Sequence, residues 1–141
     1  VSFVLDNSVT MRWYFGDGSA LALGYASRVL EAMKTTDAVV PAVWGLEVAN
    51  VLARAEARGV ASEARSEAFV SMLRRMPITI DGTSTDQALG NTLQLARRYK
   101  LSAYDASYLE LAMREGLPLA TLDEDLLDAA NRAGVEAFAG K

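Results

Sequence analysis

The sequence predicts an α/β domain with a parallel sheet and helices on both of its faces. Two observations carry this. Short apolar runs of three to four residues alternate with longer segments of helical spacing along the whole chain. No repeat, low-complexity stretch or Pro/Gly-rich linker divides the 141 residues, which suit one domain spanning 1–141.

Ser2–Leu5 is a first strand, ended by Asp6-Asn7, and Ser8–Phe15 a short helix stopped by the turn Gly16-Asp17-Gly18. Leu21, Leu23, Tyr25, Val29, Leu30 and Met33 space a helix reaching Lys34. Ala38–Val40 is a second strand, stopped by Pro41, and Val43–Ala57 a helix ending before Gly59. Ser62 is placed to cap a helix over Ser62–Met76, which Pro77 breaks before the strand Ile78–Ile80. Ser84 with Gln87 reads as a capping box for a helix to Tyr99, and Ser102 with Asp105 as another for a helix to Glu115. Pro118–Thr121 is a fourth strand, Asp123–Ala133 a final helix and Val135–Ala137 a fifth, terminal strand.

Composition removes whole chemistries. There is no His and no Cys, so His-dependent nucleophile systems, thiol catalysis, disulfides and His/Cys metal sites are excluded. Acid–base and metal chemistry must then come mostly from carboxylates, and oxygen-only ligation favours Mg²⁺, Mn²⁺ or Ca²⁺. The longest apolar run, Val39–Leu46, is too short to span a bilayer, and no leader pattern opens the chain, so a soluble cytoplasmic protein is expected. A charge of −4 argues mildly against nucleic acid, although bound cations reverse a local field. Eleven of the fourteen basic residues are Arg, a type suited to phosphate contacts, and Arg12, Arg54, Arg74, Arg75, Arg97 and Arg98 are the candidates.

Sites in open parallel sheets form beyond the C-terminal strand ends, where Asp6 and Asp123 fall. Each has a plain alternative: an Asx-turn for Asp6, a helix cap for Asp123, with Thr121–Glu124 a further capping-box match. Glu47 is the only ionisable residue between Val39 and Ala53, in a helix apolar enough to be expected largely buried. Asn50 and Arg54 continue its stripe at i+3 and i+7. Asp105 is either a site acid or merely half of a capping box. Asp125 and Asp128 complement the dipole of the last helix. Gly16-Asp17-Gly18 fails the dinucleotide fingerprint, and Asp81-Gly82-Thr83 lacks a nucleophile because position 79 is Thr.

In order, Asp6-Asn7-Ser8 after the first strand, Glu47 with Asn50 in the apolar helix, Asp105 in Ser-Ala-Tyr-Asp-Ala and Thr121-Leu122-Asp123 after a late strand resemble a PIN domain. The likeness is greatest to the VapC toxins of bacterial and archaeal toxin–antitoxin pairs and covers nearly the whole chain. It implies a sheet of order 3-2-1-4-5, with Asp6 and Asp123 facing each other at the switch point. It implies catalytic and metal-holding roles for Asp6, Glu47, Asp105 and Asp123, with Ser8, Asn50, Thr121 and Asp125 supporting. Either Asp123 or Asp125 is left as the main fourth acid.

Four carboxylates in one cleft repel: at an effective dielectric of 20, a pair about 4 Å apart costs about 4 kcal/mol. Protons or a divalent cation, Mg²⁺ or Mn²⁺, must offset this. The resemblance further implies an RNA substrate cut by activated water, a homodimer, and an antitoxin whose apolar segment and arginine reach a groove. Trp13, Tyr14, Phe15, Trp44 and Met72 are candidates to line it, although adjacent aromatics at 13–15 are more often core. The rival readings are an inert PIN-like binding module and a housekeeping nuclease acting on RNA or DNA.

Overall fold

The structure is a computed structural model describing residues 2–140, so both ends of the predicted 1–141 span lie outside the described residues. Four strands form one parallel sheet of order β3-β2-β1-β4: β1 (Phe3–Leu5), β2 (Ala38–Val40), β3 (Ile78–Ile80) and β4 (Leu119–Ala120). Phe3 pairs with Ala38 on one side of β1, and Val4 with Leu119 on the other. Phe3, Val4 and Leu5 are wholly buried, so β1 is covered on both faces.

Connections between β1 and β2 carry α1 (Asn7–Phe15) and α2 (Ala20–Ala32); those between β2 and β3 carry α3 (Val43–Ala57) and α4 (Glu63–Arg75). From β3 the chain crosses back to β4 through α5 (Ser84–Gln87), a π-helical turn over Ala88–Thr92, α6 (Leu93–Tyr99) and α7 (Ala103–Glu115), and α8 (Glu124–Arg132) follows. Right-handed crossovers running in opposite directions put α1–α4 and α5–α7 on opposite faces. The reversal falls between β1 and β4, which makes the C-terminal ends of those strands the switch point.

The predicted fifth strand is reduced to one bridge, Leu119 to Ala137. It takes the expected place beside β4 but contributes only two hydrogen bonds, Leu119 N–H to Glu136 O and Phe138 N–H to Leu119 O, both 2.9 Å. Gly134 and Gly140, both in left-handed conformations, bend the chain on either side of it.

The single helix expected over 84–99 is broken. Gly90 has φ −110° and ψ −107°, outside helical space. The Ser84–Gln87 box does not form. Ser84 Oγ accepts from Ala42 N–H (2.9 Å) and donates to Asp81 O (3.2 Å), while Gln87 Oε1 accepts from Asn91 Nδ2 (3.0 Å). Ser62 and Ser102 do cap, accepting from Arg65 N–H (3.1 Å) and Asp105 N–H (3.0 Å).

A second departure concerns α3. Only Trp44, Val48, Leu52 and Ala55 are buried, and Leu46 is 73% exposed. The opposite side, with Leu46, Ala49, Asn50 and Ala53, is exposed, although apolar residues are frequent there too.

Two polar ties fix helices that carry site residues. Arg114 bonds Asp81 after β3 (2.7 Å) and the buried Glu110 on its own helix (2.8 Å). Trp44 Nε1 donates to the buried Thr10 hydroxyl (3.1 Å), joining α3 to α1.

Candidate active site

Asp6 leaves β1 still in the ladder, its N–H bonded to Ala120 O at 2.9 Å. Parallel pairing of β1 with β4 therefore brings the residues after both strands together. Thr121 Oγ1 donates to Asp6 Oδ2 (2.8 Å), as does Ser8 Oγ (2.5 Å). The same hydroxyls accept backbone amides from the β4 side: Leu122 N–H to Ser8 (2.9 Å) and Asp123 N–H to Thr121 (3.0 Å). Ser8 and Thr121 thus lock Asp6 in one orientation and fix the turn carrying Asp123. Asp123 caps α8, its Oδ1 accepting Leu126 N–H at 2.9 Å. One oxygen does the capping work foreseen as its plain role, and the residue lies close enough to Asp6 to act on it electrostatically. The Thr121–Glu124 box is not used, because Asp123 is the N-cap.

Glu47 enters from α3 and Asp105 from the first turn of α7. Glu47 is half-buried, and Tyr108, wholly buried one turn beyond Asp105, donates its hydroxyl to Glu47 Oε1 at 2.6 Å. Tyr108 was not singled out in the sequence. Its signal was the i,i+3 spacing from Asp105, which puts both on one face of α7.

The acids share one electrostatic environment. Burial pushes the Asp6 carboxyl above its ordinary value; the Ser8 and Thr121 bonds oppose that, and Asp123 adds to it. Burial also raises Glu47, opposed by the Tyr108 bond and reinforced by Asp6. Asp105 is pushed up to about 7, first by burial and then by Asp123, Asp6, Glu47 and, least, Asp125. Burial and the charges of Asp6 and Glu47 drive the Tyr108 hydroxyl upward, so it stays a donor. No salt bridge among the described residues involves Asp6, Glu47, Asp105 or Asp123. As the side chains stand, no three acids among the described residues form a ready metal cage.

The supporting residues divide. Ser8 and Thr121 are part of the site, whereas Asn50 and Asp125 are exposed on α3 and α8. Of the arginines, Arg12 is paired with Asp17, and Arg54, Arg74, Arg75, Arg97 and Arg98 are exposed. Tyr14 is core, bonded to Ser66 Oγ (2.9 Å). Trp13 is tied to Ala26 O (2.8 Å), and Trp13, Phe15 and Met72 are partly buried against the core. Trp44 is nearly buried but lines an open apolar cleft of about 610 Å³ between α3 and α4.

A model of the PIN domain matches residues 3–132, which includes all four acids. The chain belongs to the PIN domain family. Ribonuclease VapC3 of Mycobacterium tuberculosis, in strains CDC 1551 / Oshkosh and ATCC 25618 / H37Rv, is 37% identical over 89 residues. That match spans 63% of this PIN chain and 62% of the relative's length. PAE2754 from Pyrobaculum aerophilum superimposes with a TM-score of 0.62 at 25% identity, covering 92% of this chain and 79% of that one. M. tuberculosis VapC20, described as a sarcin–ricin-loop-cleaving toxin, shares the fold with a TM-score of 0.62 at 17% identity, over 97% and 98% of the two chains.

Proposed function

We propose that this protein is a metal-dependent endoribonuclease and the toxin of a toxin–antitoxin pair. The observation that carries the reading is the convergence of four mutually repelling carboxylates with no Lys or Arg paired to them among the described residues. Such a cluster is an electrostatic debt that a divalent cation settles. The donor set fits: carboxylate and hydroxyl oxygen, without nitrogen or sulfur. Membership of the PIN family and the ribonuclease activity named for VapC3 support the substrate class.

Asp6 and Asp105 are assigned the most direct contact with Mg²⁺ or Mn²⁺, with Glu47 and Asp123 completing the site through water or a second ion. The cation, when bound, makes water a stronger nucleophile near neutral pH and stabilises charge on the phosphate. Ser8 and Thr121 hold Asp6 in place, and Tyr108 holds Glu47. A carboxylate of the set accepts the proton that the attacking water loses. Water attacks phosphorus, the P–O3′ bond breaks, the leaving O3′ takes a proton from solvent, and the products carry 5′-phosphate and 3′-hydroxyl ends.

For partners, we assign an RNA substrate, a cognate antitoxin and a second copy of the chain. The antitoxin would set an apolar segment in a groove and an arginine against the acids. No helix among the described residues is long and apolar enough to cross a membrane.

The test is incubation of total cellular RNA with antitoxin-free protein and Mn²⁺ or Mg²⁺, with and without chelator, beside Asp6→Asn. Discrete cuts that need both the ion and Asp6 are the result expected. Ends carrying 2′,3′-cyclic phosphate would overturn the mechanism. Absence of cuts from folded protein that binds no Mn²⁺ would overturn the activity and favour a binding module.

A further inference from the structure

A second recess opens beside the acids. It lies between the N-terminal ends of α3 and α7 and the π-helical turn before α6, with a volume of about 310 Å³. Its lining is uncharged: Pro41, Leu46 and Tyr104 give it large apolar surface, and Ser84, Thr85, Thr92 and Ser107 carry hydroxyls. Leu46 and Tyr104 are 73% and 60% exposed, and each immediately precedes a site acid, Glu47 and Asp105. Large apolar surface held open at that place is unused by the fold.

The second observation is Thr92. It is 2% exposed, and its hydroxyl is buried with no hydrogen-bond partner among the described residues. Helical threonines ordinarily satisfy the hydroxyl on the carbonyl four residues back, but Thr92 sits in the π-helical turn distorted at Gly90. Of the other hydroxyls lining the recess, Ser84 is engaged by Ala42 and Asp81 and Ser107 by Tyr104 O (2.6 Å), while Thr85 is exposed. An orphaned buried hydroxyl is costly and needs an explanation, and π-helical turns occur often at functional sites.

We propose that this recess is a nucleobase subsite. A base flanking the scissile phosphate stacks on Tyr104, and its polar edge gives the Thr92 hydroxyl the partner it lacks. The inference rests on the ribonuclease reading and adds to it the residues that select sequence. A base has an apolar face and a hydrogen-bonding rim, which matches an aromatic wall in an uncharged recess whose polar groups are hydroxyls. A phosphate would need a cation, and none lines the recess. An aliphatic side chain would leave the hydroxyl unpaired.

The experiment compares wild type, Tyr104→Ala and Thr92→Val on total RNA with Mn²⁺, mapping cut sites by sequencing of new 5′ ends. KM is then measured on an oligonucleotide carrying the preferred site, with Mn²⁺ affinity and melting temperature recorded for each protein. The expected result for Tyr104→Ala is KM raised roughly tenfold, within the range that loss of one base–aromatic stack covers. Thr92→Val keeps the shape and is expected to flatten base preference at one position beside the cut. Variants that bind Mn²⁺ and cut the same sites with wild-type KM overturn the subsite alone. A wild type that makes no metal-dependent cuts overturns the ribonuclease reading and the subsite with it. If Thr92→Val does not fold, Tyr104→Ala decides, because its ring is mostly outside the core.

Discussion

The Tyr108 hydroxyl donates to Glu47 Oε1 at 2.6 Å and joins α7 to α3 across the acidic cleft. It comes from a wholly buried ring, so the bond is directional and excludes other rotamers of the tyrosine. Hydrogen bonds to charged groups contribute about 1.5–3 kcal/mol. Tyr108→Phe removes that bond with almost no change in volume. The expected result is a folded protein in which Glu47 holds its proton to higher pH and RNA cleavage falls about tenfold. Cleavage rate across pH 6–9, beside circular dichroism, measures both.

Asp6→Asn separates charge from geometry. An amide oxygen can still accept from Ser8 and Thr121, so the turn after β1 persists. Asp6 is 4% exposed, and its carboxyl is raised chiefly by burial. A neutral group there is expected to leave melting temperature equal or higher at pH 8 and to abolish cleavage, a loss of at least a hundredfold. A thermal melt and an RNA assay on one preparation check it.

Asp105 predicts how stability depends on pH without added metal. Its carboxyl is raised from 3.8 to about 7, so between pH 4 and 7 the folded state binds more protons than the unfolded chain. The contribution is then fully present below about pH 4 and is lost as pH rises through about 7. Asp105→Asn should flatten this part of the profile and raise the melting temperature at pH 8 by several degrees; about 1 kcal/mol corresponds to roughly 3–6 °C for a domain of this size. Melting curves from pH 4 to 8 in chelator test it.

Arg114 tests the opposite end of α7. Its guanidinium holds Asp81 below the ordinary carboxylate range and neutralises Glu110, which is 3% exposed. Arg114→Met leaves a buried carboxylate unpaired and should cost about 3–5 kcal/mol. Adding Glu110→Gln should recover a large part of that. Urea unfolding of the single and double variants gives the coupling.

What the sequence made legible follows from local physics. Asp6 and Asp123 could be placed at strand ends because short apolar runs stop just before them, and β1–β4 pairing puts them side by side. Ser62 and Ser102 cap as their spacing says. Ser84 does not, because Ala42, 42 residues earlier, competes for its hydroxyl. Tyr108 is core, and its bond to Glu47 depends on a helix packed from elsewhere in the chain. The exposure of Leu46 is likewise set by tertiary packing, whereas the break at Gly90 falls on a residue whose lack of Cβ locally permits it.

The central claim is that Asp6, Glu47, Asp105 and Asp123 form one cation site. Calorimetric titration of Mn²⁺ into the protein purified alone at pH 7.5 tests it without any substrate. The account predicts binding by the wild type and at least tenfold weaker binding for Asp6→Asn and Asp105→Asn, with smaller losses for Glu47→Gln and Asp123→Asn. Wild-type protein that binds no Mn²⁺, or binds it as tightly after either Asp6 or Asp105 is neutralised, would contradict it.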